Sequence, residues 1–278
     1  MNGGLLLIDK PRGVTSRYVD NFFQRRFHNR KVGHLGTLDP FATGLLIVAV
    51  GEATKYLPYL PDEEKTYQAT LRLGVHTSTG DLTGEVDGTQ DVPELTKEKV
   101  VDALNHFLGA SKQLPPMTSA IKKDGVPLYK ISRKGEKVER ESRDIYVHAI
   151  SLDEFNGSEI VFTCTVSKGT YVRVLGEDIA KALGTVGHLT ALRRLKVGET
   201  DVTSAISIDN ADSKDLLHPA RFIAYPRLEV TGIMEKQVRN GVKLHLESEA
   251  ERILMCHEDE ALAIYEKEGD IYRCLRGL

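Results

Sequence analysis

Apolar residues in this chain come in short runs and in one-face spacings, and each predicts an element. Residues 4–9 are a compact apolar run closed by Lys-Pro-Arg-Gly, the pattern of a buried strand ending in a turn. Ser16 reads as an N-cap, with Val19, Phe22, Phe23 and Phe27 on one face of the following helix. Residues 45–50 (LLIVAV) predict a second buried strand. Over 67–73 Tyr67, Ala69, Leu71 and Leu73 alternate with polar residues, as in a half-buried strand. A polar, glycine-rich loop is expected over 75–92. Val100, Val101, Leu104 and Phe107 then predict a helix over 95–108, with Gly109 as its C′ residue. Strands follow at 145–150 and 160–166. Beyond a Ser-Lys-Gly turn, Tyr171 and Arg173 alternate on a strand and so face one way. Leu175, Ile179, Ala182 and Leu183 mark a helix ending at Gly184, and the stretch after Gly198 reads as loop with a helix near 212–217.

The rhythm changes near Pro226. Short strand patterns at 228–230, 253–256, 261–265 and 271–275 are separated by turn residues, which predicts a small β-rich domain. The expected organisation is a larger α/β domain of the α+β type over 1–224 and a small β-rich domain over 225–278. The polar stretch 111–144 is too long for an ordinary connection, and such loops usually carry function.

Composition sharpens this picture. Hydrophobic residues at 41% and charged ones at 28% are values of a folded globular chain. No apolar run approaches the ~20 residues of a membrane helix, and the start lacks the basic n-region of a signal peptide. Cys164, Cys256 and Cys274 show no CxxC spacing, so neither a disulfide framework nor a zinc site is indicated. A cytoplasmic protein is expected. The net charge of −3 hides a division: residues 225–278 carry 8 basic and 11 acidic residues, and the remainder is neutral. Within that neutral body Arg25, Arg26, Arg30 and Lys31 cluster, and residues 122–143 hold eight basic residues against four acidic ones. Each is a local patch able to hold phosphates, or simply solvated surface.

Familiar machinery is absent: the chain has no Walker A loop, GxGxxG, HExxH or GxSxG. An EF-hand reading of residues 83–94 fails because Thr83 stands where a carboxylate should be. Asp39, in Gly36-Thr37-Leu38-Asp39-Pro40, reads first as a helix N-cap with proline at N1. The other reading is a carboxylate fixed on a tight turn as nucleophile or base. His34 belongs to no metal pair or triad by spacing. Tyr67, Tyr171 and Leu192 read as core packing by default. An inward-facing Arg173 needs a carboxylate partner, for which Asp39 is a candidate.

Six segments taken in order resemble the TruB family of bacterial tRNA pseudouridine synthases. They are Leu7-Ile8-Asp9-Lys10-Pro11-Arg12-Gly13-Val14-Thr15-Ser16; residues 31–44, KVGHLGTLDPFATG; Lys65-Thr66-Tyr67; Thr79-Gly80-Asp81 with Gly84; Lys168-Gly169-Thr170-Tyr171-Val172-Arg173; and Leu192-Arg193-Arg194-Leu195. The resemblance runs from Gly4 to about Gly198. The last domain looks only loosely like the family's short PUA domain, an RNA-binding β-barrel. The resemblance implies the pseudouridine synthase fold, a mixed central sheet with flanking helices and a thumb loop over about 111–144.

It also implies a reaction: isomerisation of uridine 55 in the T-arm of tRNA, with no metal or cofactor, after the base is flipped out. Asp39 would be the catalytic nucleophile, with Arg173 paired to it and pulling its pKa down. Tyr67 would stack on the uracil and help remove the C5 proton. Tyr171 and Leu192 would complete the base pocket, Lys10 and Pro11 would buttress it, and His34 would prop the vacated space. Lys122, Lys123, Arg133, Lys134 and Arg140 of the thumb would contact phosphates. The partner is the T-arm of tRNA, with no obligatory protein partner and a monomeric chain. Thr118 departs from the family's usual aromatic residue. A different class of function, a tRNA-folding helper that works by binding, shares these features and differs in not requiring Asp39.

Overall fold

The computed structural model describes all residues except 1–2, 118, 120–121, 124, 128–137, 259 and 278. The chain forms two compact units, Met1–Leu57 with Asp62–Leu216, and Pro58–Pro61 with Leu217–Leu278.

The first unit opens with β1 (Gly3–Lys10), α1 (Ser16–Arg26), β2 (Val32–Leu35), β3 (Thr43–Gly51) and β4 (Glu64–Leu73). A hairpin, β5 (Val75–Thr77) and β6 (Val86–Thr89), precedes α2 (Lys97–Asn105) and β7 (Gly109–Gln113). Two short paired strands follow, β8 (Lys122–Lys123) and β9 (Val126–Pro127), then the long β10 (Arg143–Phe155) and β11 (Glu159–Ser167). The unit closes with α3 (Val172–Ala182), β12 (Gly187–Val197), β13 (Thr200–Asp201) and β14 (Ile206–Ser207).

Ten of these strands make one mixed sheet in the order β14-β1-β3-β12-β4-β11-β10-β7, with β2 on β3 and β13 on β12. The pairs β1–β14 and β3–β12 are parallel and the others antiparallel. The mixed α/β sheet foreseen from the resemblance is therefore present. Strand β3 is buried along nearly its whole length, as its uninterrupted apolar run requires of a central strand. Strand β4 buries Tyr67, Ala69, Leu71 and Leu73 on one face. They join Val19 and Phe23 of α1 and Leu175 and Ile179 of α3 in a common core.

Several expectations shift. Thr15, not Ser16, caps α1, its side chain accepting from the Tyr18 amide. The Ser16 hydroxyl is used elsewhere: buried, it donates to the Leu38 carbonyl and accepts from the Leu38 amide. The stretch over 75–92 is not all loop, since β5 and β6 pair there. Gly109 opens β7 rather than finishing α2, which ends at a C-cap on His106. The stretch near 212–217 makes only a single 3₁₀ turn, Ser213–Asp215, closed by a capping box between Asp212 and Asp215.

The second unit carries β15 (Arg227–Glu229), α4 (Gly232–Arg239), β16 (Arg252–His257), β17 (Glu260–Glu268) and β18 (Ile271–Gly277). Its four strands form one sheet in sequence order. Val238 of α4 packs with Ile253, Met255, Tyr265 and Tyr272 in a core of its own.

Candidate active site

A cavity of about 270 Å³ opens in the first unit where the β2–β3 loop, β4, the end of β11, the start of α3 and β12 converge. Asp39, Tyr67, Tyr171, Arg173, Leu192 and Arg194 are among its walls.

Asp39 does not cap a helix. The chain turns at Pro40 and Phe41 and enters β3 at Thr43, which leaves no room for a helical turn. The Asp39 carbonyl accepts from the Ala42 amide, and the Pro40 carbonyl from Gly13. Its carboxylate is held on a short turn, with 34% of the side chain exposed, toward the cavity it lines.

Arg173 is not on a strand either. It lies in the first turn of α3, whose N-cap is Tyr171, and it is 3% exposed. Its Nε is 2.9 Å from Asp39 Oδ2 and its Nη2 donates to Oδ1 at 3.4 Å. Nη1 donates to the Thr79 carbonyl at 2.7 Å and lies 3.5 Å from Asp81 Oδ2. One guanidinium thus joins Asp39 to the Thr79-Gly80-Asp81 turn. Contrary to the sequence expectation, the Asp39 carboxyl is held above its ordinary pKa. Burial is the larger effect, Asp81 adds to it, and Arg173, with Lys10 behind it, opposes it.

Tyr67 is 8% exposed and sits on β4 directly across from Cys164 of β11 and Arg194 of β12. Desolvation raises the pKa of its hydroxyl, and the neighbouring Arg194 works against that rise. Leu192, 7% exposed, comes from β12. Tyr171 is fixed through its backbone: its amide donates to Gln113 Oε1, and its carbonyl accepts from Gln113 Nε2.

Lys10 is wholly buried, and its Nζ donates to the carbonyls of Pro11, Val14 and, at 3.5 Å, Pro40. It ties β1 to the turn that carries Asp39, whereas Pro11 itself is exposed. His34 lies on β2 outside the cavity wall. Its Nδ1 is 3.0 Å from both oxygens of buried Asp20, and its Nε2 is 3.2 Å from the hydroxyl of Thr37, which does line the cavity.

The thumb candidates divide. Arg140 donates through Nη1 to the Pro115 carbonyl at 2.7 Å. Lys122 and Lys123 lie on β8, whose side chains fall outside the described residues, as do Arg133, Lys134 and Thr118.

Sequence reasoning missed four polar residues. Asp20 sits on the buried face of α1 beside Val19 and Phe23, a polar intruder in an apolar stripe. Asp62 bridges Lys65 Nζ at 2.6 Å and Lys168 Nζ at 2.9 Å on the cavity wall. Asp81 and Arg194 were quoted within motifs without a role. Only clustered charge near 62–65 could have pointed to Asp62.

The N-terminal domain of the TruB family of pseudouridylate synthases matches residues 24–172. The chain belongs to the TruB family. A family member from Psychrobacter cryohalolentis, called tRNA pseudouridine synthase B, is 47% identical over 218 residues, 77% of this chain and 61% of that protein. One of the same description from Geobacter sulfurreducens is 48% identical over 206 residues, 74% of this chain and 68% of its own length. The chain spans about three fifths of the length of the first of these relatives. Among solved structures, a chain of a Cbf5-Nop10-Gar1 complex superposes with a TM-score of 0.71 at 22% identity, covering 95% of this chain and 78% of that one. A chain of an H/ACA RNP bound to a substrate RNA containing 2′-deoxyuridine gives 0.71 at 20% identity, covering 99% and 84%. At these identities the likeness is one of fold.

Proposed function

We propose that this TruB family member is a tRNA pseudouridine synthase that isomerises uridine 55 of the T-arm, with Asp39 as its catalytic nucleophile. The observation that carries the reading is the Asp39 carboxylate, paired with buried Arg173 and facing a cavity walled by Tyr67, Tyr171 and Leu192. Such a cavity accepts one flat, uncharged ring. A base stacked in a tRNA loop must leave its stack to reach it, at a cost of a few kcal/mol.

The chemistry balances within the nucleotide. The C1′–N1 bond breaks, the uracil turns while held between Tyr67 and Leu192, and C5 bonds to C1′. C5 gives up its proton and N1 takes one, so no electrons enter or leave. Asp39 supplies the carboxylate that the sugar or base meets, and Arg173 fixes its direction. Tyr67 stacks on the ring and places its hydroxyl near C5. Lys10 holds the turn under Asp39, and His34, fixed by Asp20, stands at the edge near Thr37. Thumb residues 111–144 close on the RNA, with Lys122, Lys123, Arg133, Lys134 and Arg140 as phosphate contacts, and the second unit acts as a PUA-like RNA-binding module. The enzyme works in the cytoplasm as a monomer, with tRNA as its partner.

The test uses unmodified tRNA tritiated at uracil C5, because that label must be released when C5 becomes the glycosidic carbon. Release by the wild type and none by Asp39→Asn is the expected result. Release by both proteins would keep the reaction and remove Asp39 from it. Tight tRNA binding with release from neither would favour the folding-helper function.

A further inference from the structure

Helix α1 carries an arginine cluster that the active site leaves unused. Residues 12–31 hold six basic residues and one acidic one, Asp20, which is 1% exposed. The helix buries Val19, Asp20 and Phe23, so its outer face presents Arg17, Asn21 and Arg25, four residues apart, with Arg26 alongside. Arg17 reaches back to Asp20 at 3.4 Å, with 67% of its side chain exposed. Arg26 lies over the half-buried Phe22 ring, 5.9 Å from its centre. The chain then folds back on the helix. His28 takes a left-handed φ of 48°, the Asn29 amide donates to the Gln24 carbonyl, and Gln24 Nε2 donates to the Arg30 carbonyl at 3.3 Å. Arg30 is thereby held near the last turn, which carries Arg25 and Arg26. Ahead of the helix, exposed Arg12 donates to the Thr190 carbonyl at 3.4 Å.

Two ordinary explanations account for part of this. Basic residues at a helix C-terminus complement its dipole, which suits Arg25 and Arg26 but not Arg12, Arg17 or Arg30. Surface cations are often matched by surface carboxylates, as Lys31 is by Glu52 at 2.6 Å. Arg12, Arg25, Arg26 and Arg30 have no carboxylate within ion-pair distance among the described residues. The surface also has a direction. Gly13 donates to the Pro40 carbonyl, Ser16 exchanges hydrogen bonds with Leu38, and Asp20 meets His34, so Arg12 and Arg17 flank the turn that carries Asp39. From there α1 runs outward for ~16 Å to Arg26. Exposed guanidinium forks without carboxylates, in a row that starts at the catalytic turn, match the donor pattern and charge that a phosphate backbone needs.

We propose that the outer face of α1, with Arg12 before it and Arg30 after it, is a second RNA interface. It binds the phosphate backbone of the same tRNA where that backbone leads away from the flipped uridine. The assignment rests on the pseudouridine synthase reading and places phosphate contacts on an element separate from the thumb. Contacts of this kind supply affinity and orientation without reading bases.

Salt dependence of binding tests it. Unmodified tRNA transcript is titrated with the full chain between about 50 and 200 mM salt. The proteins are wild type, a variant combining Arg25→Gln, Arg26→Gln and Arg30→Gln, and one combining Arg25→Lys, Arg26→Lys and Arg30→Lys. Each phosphate contact contributes about one to the slope of log affinity against log salt, so the glutamine variant should be shallower by ~2–3. Over that range the wild type should lose on the order of 10- to 40-fold more affinity than the glutamine variant does. The lysine variant should keep the slope, because an ammonium displaces counterions as a guanidinium does. Tritium release at limiting RNA should fall in the glutamine variant and recover as RNA is raised, which a misfolded protein would not do. A glutamine variant with the wild-type slope would overturn the proposal. A slope lost equally in the lysine variant would overturn it as well, since charge would then not be the cause. A wild type that releases no tritium would instead remove the pseudouridine synthase reading, while the slopes still decide whether α1 meets RNA.

Discussion

Arg173 and Asp39 meet through two guanidinium nitrogens, at 2.9 and 3.4 Å, while the same guanidinium also faces Asp81 at 3.5 Å. One buried cation thus serves two carboxylates, and removing it takes the ion-pair partner from both, although Asp81 keeps hydrogen bonds from Thr79 and Thr83. Arg173→Met should therefore destabilise the fold by ~3–5 kcal/mol, the usual cost of an orphaned buried charge. Arg173→Lys keeps the charge but loses the planar fork, so it should fold well and lose most activity. Urea unfolding beside tritium release separates the two effects. A methionine variant as stable as the wild type would show that water reaches this pair.

Asp39→Asn should behave in the opposite sense. Arg173 keeps Asp81 and the Thr79 carbonyl, so the variant orphans nothing. The folded-state pKa of Asp39 is raised, so folding binds its proton more tightly than the unfolded chain does. That contribution is complete below the unfolded value, near 3.9, and is lost as pH rises through the folded value. The asparagine variant should match the wild type in acid and exceed it at neutral pH, by ~1 kcal/mol. Wild-type turnover should climb with pH through the same raised pKa. Melting temperatures and single-turnover rates across pH give both readings, and a variant that loses stability at pH 7 would contradict the raised pKa.

Gly44 is a steric requirement of the site. Its φ is +100°, and an added Cβ would lie 2.3 Å from the Arg194 carbonyl oxygen, inside the parallel β3–β12 contact. Gly44→Ala should cost several kcal/mol, combining backbone strain with displaced β12. Because β12 carries Leu192 and Arg194, activity should fall even at temperatures where the variant stays folded. Full activity of a folded Gly44→Ala would show that β12 need not approach β3 so closely.

The strands that position the site were legible where burial follows a simple period. The run at 45–50 and the alternation at 67–73 led directly to β3 and β4. Strand β12 was hidden for a physical reason. Its ladder with β4 slips between Leu189 and Ala191 and again between Arg194 and Lys196, so inward positions do not keep period two. One of those positions is Arg194, a charge that reads as surface. Arg173 was misplaced because a two-residue alternation fits a strand, while Val172, Leu175 and Ile179, all buried in α3, already repeat with helical spacing. The helix cap expected at Asp39 failed because β3 begins four residues later. Motif resemblance supplied the roles of Asp39, Tyr67 and Arg173 that spacing alone left open. It could not show Asp20, Asp62 and Arg194 at work, since their partners lie on other elements.

Asp62 offers the clearest acid-sensitive element of the first unit. Burial opposes its ionisation, yet hydrogen bonds from Lys65 and Lys168 prevail and hold its carboxyl below the ordinary value. A depressed pKa gives stability that is complete above the unfolded value and disappears as pH falls through the folded one. Asp62→Asn should therefore lose stability at pH 7 and converge with the wild type in strong acid. The loss should be larger than for an exposed pair, at ~2 kcal/mol, because Lys65 is 8% exposed and is left with the Asp62 carbonyl as its remaining acceptor. Lys168, with 65% of its side chain exposed, loses little. Lys168→Ala should accordingly change stability by less than about 1 kcal/mol, and Lys65→Met combined with Asp62→Leu should restore much of what Asp62→Asn removes. Denaturant unfolding of the three variants between pH 3 and pH 8 provides the comparison. A pH-independent deficit in Asp62→Asn would mean that Asp62 holds the cavity wall by packing, with no part played by its charge.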